Sequence, residues 1–460
     1  MELRPTSERR IAETGADRSP EGLVHCTKKK IAIIVCVVLS VAAIAAVIGA
    51  VSAILFGGTD DDHTIPSVST TQHLPSLVTN VVYPSPSPTT SICQTITDNS
   101  LLTFKGILNL TLVTSEIKEV SQVFDLNAIV ADKPYLLVMA QNELYVYLMN
   151  DDDTLDKLQN ISARGDLSYL EMVFFSEYFV FDGTHYVIIS SLDSGTNYYN
   201  DVYSWDGTKL TVDGIVNLVI SAYGNKYSAG WSFIESASQG EAFLANAFGS
   251  EWDGVQTENT VIYLFNGTHF NDFQDIYTGM NTKKVSFFQT DDDDIYLAMG
   301  STYSPDTPTS FVYKYNPSSS KFEQHQSFPM KGFTSDIVIF DIEDETYLMH
   351  TLFKSADSTD GAASPLYLWN TVSSEFELHQ TFNTTNGQAA CHIEYCNQHY
   401  LIVVSHESDV VMYKWDGEYF VEFSVLYKYA GTPLHACHVF YANGTPYLAV
   451  DKLVYIVVQV

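Results

Sequence analysis

Ser335–Phe382 reads SDIVIFDIEDETYLMHTLFKSADSTDGAASPLYLWNTVSSEFELHQTF, and the fold can be argued from this stretch. It holds four apolar runs: DIVIF (336–340), YLMHT (347–351), PLYLW (365–369) and EFELHQTF (375–382). Short alternating or near-continuous apolar and aromatic runs suit strands of a packed sheet. Two of the connections are short and polar, and one longer loop, 354–365, separates the second run from the third.

The second run recurs along the chain. An aromatic residue opens it at Tyr135, Tyr186, Phe243, Tyr296, Tyr347, Tyr400 and Tyr447, with successive starts 47 to 57 residues apart. A third run recurs as VYSW (202–205), VIYLF (261–265), FVYKY (311–315), LYLW (366–369) and VMYKW (411–415). Turn pairs follow four of these runs directly: Asp206-Gly207, Asn266-Gly267, Asn316-Pro317 and Asp416-Gly417. Asn-Gly and Asp-Gly tolerate positive φ and mark hairpins. A first run precedes the aromatic start, as in CHIEYC (391–396) and CHVFYA (437–442), with return turns at Asp182-Gly183, Asn397-Gln398 and Asn443-Gly444. Four antiparallel strands repeated around an axis make a β-propeller. The expectation is all-β: a seven-bladed propeller of four-stranded antiparallel blades over 101–460, preceded by one transmembrane helix. The last repeat ends at its third strand, so Leu101–Val113 is expected to supply the missing fourth and close the ring.

Outside the repeats, Ile31–Phe56 is uncharged and long enough to span a bilayer. Lys28, Lys29 and Lys30 precede it, and Asp60, Asp61 and Asp62 follow. The positive-inside bias then makes 1–30 a cytoplasmic tail and 31–56 a signal anchor. Ser/Thr/Pro-rich residues 57–100 form a stalk. The expected location is the plasma membrane, single-pass type II, with the C-terminal propeller outside. Beyond residue 30 there are 16 basic and 50 acidic residues, which argues against nucleic acid as a partner. Sequons at Asn109, Asn160, Asn266, Asn383 and Asn443 fit a secretory history. Four cysteines fall beyond residue 56: Cys93, Cys391, Cys396 and Cys437. The preferred pair is Cys93–Cys437, at the closing blade; the competing pair is Cys391–Cys437, which occupy similar places in adjacent repeats.

The repeat, with its Y-L-x-V/A second strand, I-Y-x-W third strand and F-x-x-x-Q-x-I/F ending, resembles the epilepsy-associated repeat, also called the EPTP repeat. That resemblance spans roughly 101–460. It implies a seven-bladed extracellular propeller, as in the leucine-rich glioma-inactivated proteins, which bind disintegrin-type receptors. A membrane-anchored chain departs from those secreted relatives, so the resemblance implies recognition or adhesion without fixing the partner.

Catalysis is the competing class. A sialidase clamps its carboxylate substrate with an arginine triad, and Arg164 is the only arginine beyond residue 30. That excludes the mechanism. The remaining alternative is a hydrolase with an acidic or metal-assisted site at the channel. Asp151–Asp153 and Asp291–Asp294 offer carboxylates to Ca²⁺, though each run also reads as a solvated turn. Asp336, His392 and His438 on inner strands are weak metal candidates; no cofactor is otherwise expected. Trp205, Trp369 and Trp415 recur at one place in the repeat and read as packing. Recognition is expected on the long loops between second and third strands, with Tyr198, Tyr199, Trp252 and Tyr303 as anchors for an extracellular protein or glycan.

Overall fold

The computed structural model describes segments of 102–459, the longest being 308–353 and 362–427; residues 1–101, 250–258, 304–307, 354–361 and 428–435 are among those outside the description. The described residues form 28 strands in seven four-stranded antiparallel sheets. In chain order we number the sheets I (123–162), II (175–213), III (227–276), IV (281–329), V (333–383), VI (387–427) and VII (437–459). Sheets I to VI each use four consecutive strands in sequence order. Sheet VII instead takes Leu102–Asn109 as its fourth strand, paired antiparallel to Leu453–Gln459 with Leu102 opposite Gln459.

One feature of the expected fold needs correction. Of the seven four-stranded sheets, five, sheets II to VI, have side chains described on every strand. In sheets I and VII the pairing is defined by backbone, and most inner-strand or outer-strand side chains fall outside the description. Among the described residues no helix is long and apolar enough to cross a membrane. The membrane helix and the single-pass plasma-membrane location are therefore withdrawn. Both rested on the hydropathy of 31–56 alone, and that segment lies outside the described residues.

Position within a blade explains the sequence pattern. The second strand is covered on both faces by neighbouring sheets, so residues 347–352 of Glu345–Phe353 are all buried. A strand buried on both sides reads as a continuous apolar run. The fourth strand lies at the edge, so in Glu375–Asn383 only Phe376 and Phe382 are buried. Each fully buried aliphatic or aromatic side chain contributes about 1.5–3 kcal/mol through removal from water.

The aromatic that opens the second strand is a keystone between blades. Tyr296 of sheet IV meets Trp369 of sheet V at 5.0 Å between ring centres, and Phe288 meets Phe376 at 5.4 Å. One blade on, Tyr347 meets Trp415 at 5.6 Å and Phe340 meets Phe420 edge-on at 6.1 Å. Offset and edge-to-face rings at such spacings add about 0.5–1.5 kcal/mol per pair beyond area burial. The recurrent tryptophans are thus blade packing. Trp231, off the repeat pattern, is also buried and donates from Nε1 to Ser190 Oγ at 3.0 Å.

Hydrogen bonds repeat the link at the outer edge. Gln159, Gln274, Gln326 and Gln380 each bracket the first buried residue of the next sheet's fourth strand, which is Leu210, Phe322, Phe376 and Phe420 respectively. In each case Nε2 donates to the backbone carbonyl and Oε1 accepts the backbone N–H. Between sheets II and III a main-chain bond does half of this work: Phe270 N–H donates to Ile215 O at 2.8 Å.

The turns between third and fourth strands are built from side-chain caps. Asp206, Asn266 and Asp416 each accept two backbone N–H groups through Oδ1, and Gly207, Gly267 and Gly417 follow at φ 93°, 96° and 108°. Asx side chains and glycine at positive φ are what such tight turns demand.

Candidate functional site

Inner strands place alternate side chains toward the propeller axis. Four charged or titratable groups stand on the first strands of four sheets: Glu177 (II), Lys284 (IV), Asp336 (V) and His438 (VII). All four are half-buried. The Lys284 ammonium acts electrostatically on each of the other three. Burial pushes the Glu177 carboxyl up to about 7, and Lys284 partly offsets that rise. Burial also raises Asp336, against the pull of Lys284 and of two backbone N–H groups. Those donors are Ile337 N at 2.9 Å to Oδ1 and Ala390 N at 3.3 Å to Oδ2. His438 is pushed down to about 4 by burial and by Lys284.

Inner strands have one edge without a strand partner, so their backbone groups need other acceptors. The preceding or following sheet supplies them. Ser232 Oγ accepts Phe287 N–H at 2.9 Å, Asp336 accepts Ala390 N–H, and Tyr441 OH accepts Glu394 N–H at 3.2 Å while donating to Glu394 O at 3.0 Å. Asp336 therefore has a structural duty on the channel wall.

His392 takes a different path. Its ring stacks on Phe340 at 4.3 Å and on His399 at 5.3 Å, with Nε2 at 3.2 Å from His399 Nδ1. Burial and His399 push His392 down to about 3, which keeps it neutral. So the three metal candidates separate: Lys284 acts electrostatically on Asp336 and His438, and His392 belongs to an aromatic stack. Among the described residues no group of three or more His, Cys, Asp or Glu could hold a metal ion. Asp291–Asp294 forms an exposed turn in which Thr290 N donates to Asp294 O at 3.1 Å and Lys314 pairs with Asp294 at 2.5 Å. Asp151–Asp153 lies outside the described residues.

The remaining sequence candidates are distributed as follows. Tyr198 and Tyr199 begin the third strand of sheet II, opposite Leu192 and Ser191, and Tyr303 ends the second strand of sheet IV, opposite Asn281. All three sit where second and third strands connect, hence at the same end of their blades. Trp252 lies outside the described residues. Asn160, Asn266 and Asn383 are exposed; Asn109 ends the strand Leu102–Asn109, and Asn443 is outside the description. The disulfide joins Cys391 to Cys437, with Cα atoms 6.1 Å apart, and ties sheet VI to sheet VII. This corrects the preferred Cys93–Cys437 pair: both cysteines stand on inner strands of adjacent sheets, where their side chains meet. Cys396 is itself disulfide-bonded, and Cys93 lies outside the described residues. The Gln brackets and the convergence on Lys284 were not found from sequence. The Gln of F-x-x-x-Q is visible there, but its partner is in another repeat.

Residues 375–416 match the EPTP domain. The match covers the fourth strand of sheet V and three strands of sheet VI, so it contains Gln380 and one inter-blade junction. Together with the propeller it supports the EPTP propeller family. No curated protein matches the chain. Among solved structures, BBS1N in complex with ARL6DN is similar at TM-score 0.50 and 9% identity, over 77% of this chain and 96% of that one. At that identity the likeness shows the fold alone. A Trypanosoma rangeli sialidase with sialic acid is similar at TM-score 0.43 and 8% identity, over 68% of this chain and 56% of that one. That likeness is too distant to bear on chemistry.

Proposed function

We propose that the propeller is a non-catalytic protein-binding module for an extracellular partner. The EPTP match on a ring locked by inter-blade brackets carries this reading, since a rigid ring presents its loops as a fixed surface. The Cys391–Cys437 disulfide and the exposed sequons support residence in an oxidising, secretory compartment. Acidic excess favours a partner with a basic contact surface, which would steer association and make its rate salt-dependent. The anchors are Tyr198, Tyr199, Trp252 and Tyr303, at or between the second and third strands.

The experiment is surface plasmon resonance against partners captured by proximity labelling, with Tyr198→Ala, Tyr199→Ala, Trp252→Ala and Tyr303→Ala variants. Losses of tenfold or more in affinity from these variants, with unchanged folding, are expected. Unchanged binding in all four, with loss from substitutions at the 206–209 and 416–419 turns, would move the surface to the opposite end.

A further inference from the structure

The joint between sheets VI and VII is built differently from its neighbours. Gln159, Gln274, Gln326 and Gln380 lie opposite Val146, Ile262, Val312 and Leu366 within their own sheets, and at that register sheet VI has Ser424, opposite Met412. A serine carries one hydroxyl on a short stem and cannot bracket a backbone N–H and a carbonyl together. The inner strands carry this joint instead. Tyr441 OH accepts Glu394 N–H at 3.2 Å and donates to Glu394 O at 3.0 Å, and the Cys391–Cys437 disulfide crosses the same two strands. Residues 391 and 394 thus meet 437 and 441 in the same order. The turn after Tyr395 and the turn after Ala442 therefore lie at one end of the two sheets.

Cys396 sits in the first of those turns and is itself disulfide-bonded. Its partner is neither of the other described cysteines, because Cys391 and Cys437 hold each other. Of the six cysteines in the chain, Cys26, Cys36 and Cys93 remain. Topology selects among them. Leu102 lies opposite Gln459, the last residue of the third strand of sheet VII, so the chain enters that sheet at the same turn end. Cys93 stands nine residues before Leu102, and extended chain of that length reaches about 30 Å. The path from fourth strand to first is three strand spacings, about 14 Å, and a neighbouring sheet adds about 10 Å. Cys36 and Cys26 stand 66 and 76 residues before Leu102, and closing those longer loops costs more chain entropy.

We propose that Cys93 is the partner of Cys396, and that this second disulfide clasps the chain's entry strand to sheet VI across the joint where the glutamine bracket is missing. Two thiols lose their protons and join as S–S, and the two electrons pass to a disulfide-donor oxidant, which leaves as a dithiol. Among the seven sheets, VII alone takes a strand from far away in sequence, so it is the place where a closed ring needs a fastening. The clasp also holds the incoming chain at the turn end of the blades. Tyr198, Tyr199 and Tyr303 stand at the other end of theirs, where second and third strands connect.

Disulfide mapping of the purified full chain tests it. Free thiols are alkylated with N-ethylmaleimide in denaturant, and the unreduced protein is cut with chymotrypsin, whose cleavage after Tyr395 separates Cys391 from Cys396. Mass spectrometry is expected to find one linked peptide pair holding Cys93 and Cys396, which separates on reduction, beside the Cys391–Cys437 pair. Cys93→Ser is expected to expose one alkylated thiol, at Cys396, and to leave the Cys391–Cys437 pair intact. In the same variant, amide hydrogen exchange in Leu102–Asn109 should quicken about tenfold, because the strand has lost its anchor. The proposal is overturned if Cys93 is alkylated in the wild-type chain, or if Cys396 is linked to Cys26, Cys36 or a second copy. It is also overturned if exchange in Leu102–Asn109 is unchanged in Cys93→Ser. None of these outcomes depends on partner binding.

Discussion

Gln326 grips the backbone of Phe376 from the adjacent blade at two points: Nε2 donates to Phe376 O at 2.8 Å, and Oε1 accepts Phe376 N–H at 2.9 Å. The edge strand of one blade thus satisfies the edge strand of the next. Both bonds are part-buried, so removing the amide leaves a backbone donor and acceptor without partners.

Gln326→Ala is expected to destabilise the fold by about 2 kcal/mol, the sum of two modest hydrogen bonds and a desolvation cost. Gln326→Glu keeps an acceptor for Phe376 N–H but loses the donor, and should fall between the two. Urea unfolding with a common m-value is the measurement. A change under a few tenths of a kcal/mol for alanine would show that water replaces the bracket at no cost.

The disulfide gives a second expectation. Cys391 and Cys437 close a loop of sequence separation 46 between sheets VI and VII. Cys391→Ala/Cys437→Ala should lower stability by about 2–4 kcal/mol, the usual range for a native bridge. Thermal unfolding of the double variant beside wild type measures this. Equal midpoints would mean that the inter-sheet core alone holds the ends together.

Legibility followed sequence distance. YLMHT (347–351) and EFELHQTF (375–382) betray their strands because burial on two faces or at an edge imprints the run itself. Asp206-Gly207 and Asn266-Gly267 betray their turns for the same local reason. One return turn differs by a residue: Tyr395 pairs with Gln398, so Cys396-Asn397 make the turn instead of Asn397-Gln398. What stayed hidden depends on partners in other repeats. Gln326 bonds Phe376 fifty residues on, and Lys284 answers to three sheets besides its own. Periodicity counts repeats but carries no side-chain geometry. The hydropathy of 31–56 likewise has no described structure behind it.

Asn266 combines a turn cap with a sequon. Its Oδ1 accepts Thr268 N–H and His269 N–H, both at 3.0 Å, while Nδ2 is the atom a glycan would use. Asn266→Asp preserves the acceptor, as Asp206 and Asp416 do at the same place, and should leave stability within a few tenths of a kcal/mol while abolishing glycosylation there. Asn266→Gln removes both, and a loss of about 1 kcal/mol is expected. Denaturation of enzymatically deglycosylated protein separates the two effects. Equal losses in both variants would show that the sugar, and not the cap, stabilises the turn.

Acid sensitivity is the last expectation. His350 is fully buried against Phe328 and Tyr367, and burial pushes it down to about 3 from 6.5; His392 falls to about 3 and His438 to about 4. Each folded pKa lies below its unfolded value, so the unfolded state binds more protons between them. The stability is complete above about 6.5 and is lost as pH falls toward 3–4, at about 1.4 kcal/mol per pH unit for each histidine. Glu177 has the opposite sign: its folded pKa, about 7, exceeds the carboxyl value of 4.5, so it favours the fold as pH falls through that window. Among these four groups the three histidines outweigh the one carboxyl, so their joint contribution to stability should decline below pH 6.5. His350→Phe, which keeps a buried ring, should flatten the slope by about 1.4 kcal/mol per pH unit, and Glu177→Gln should steepen it. Urea midpoints measured from pH 7 to pH 5 decide this; a slope unchanged by His350→Phe would mean that His350 is protonated in the fold.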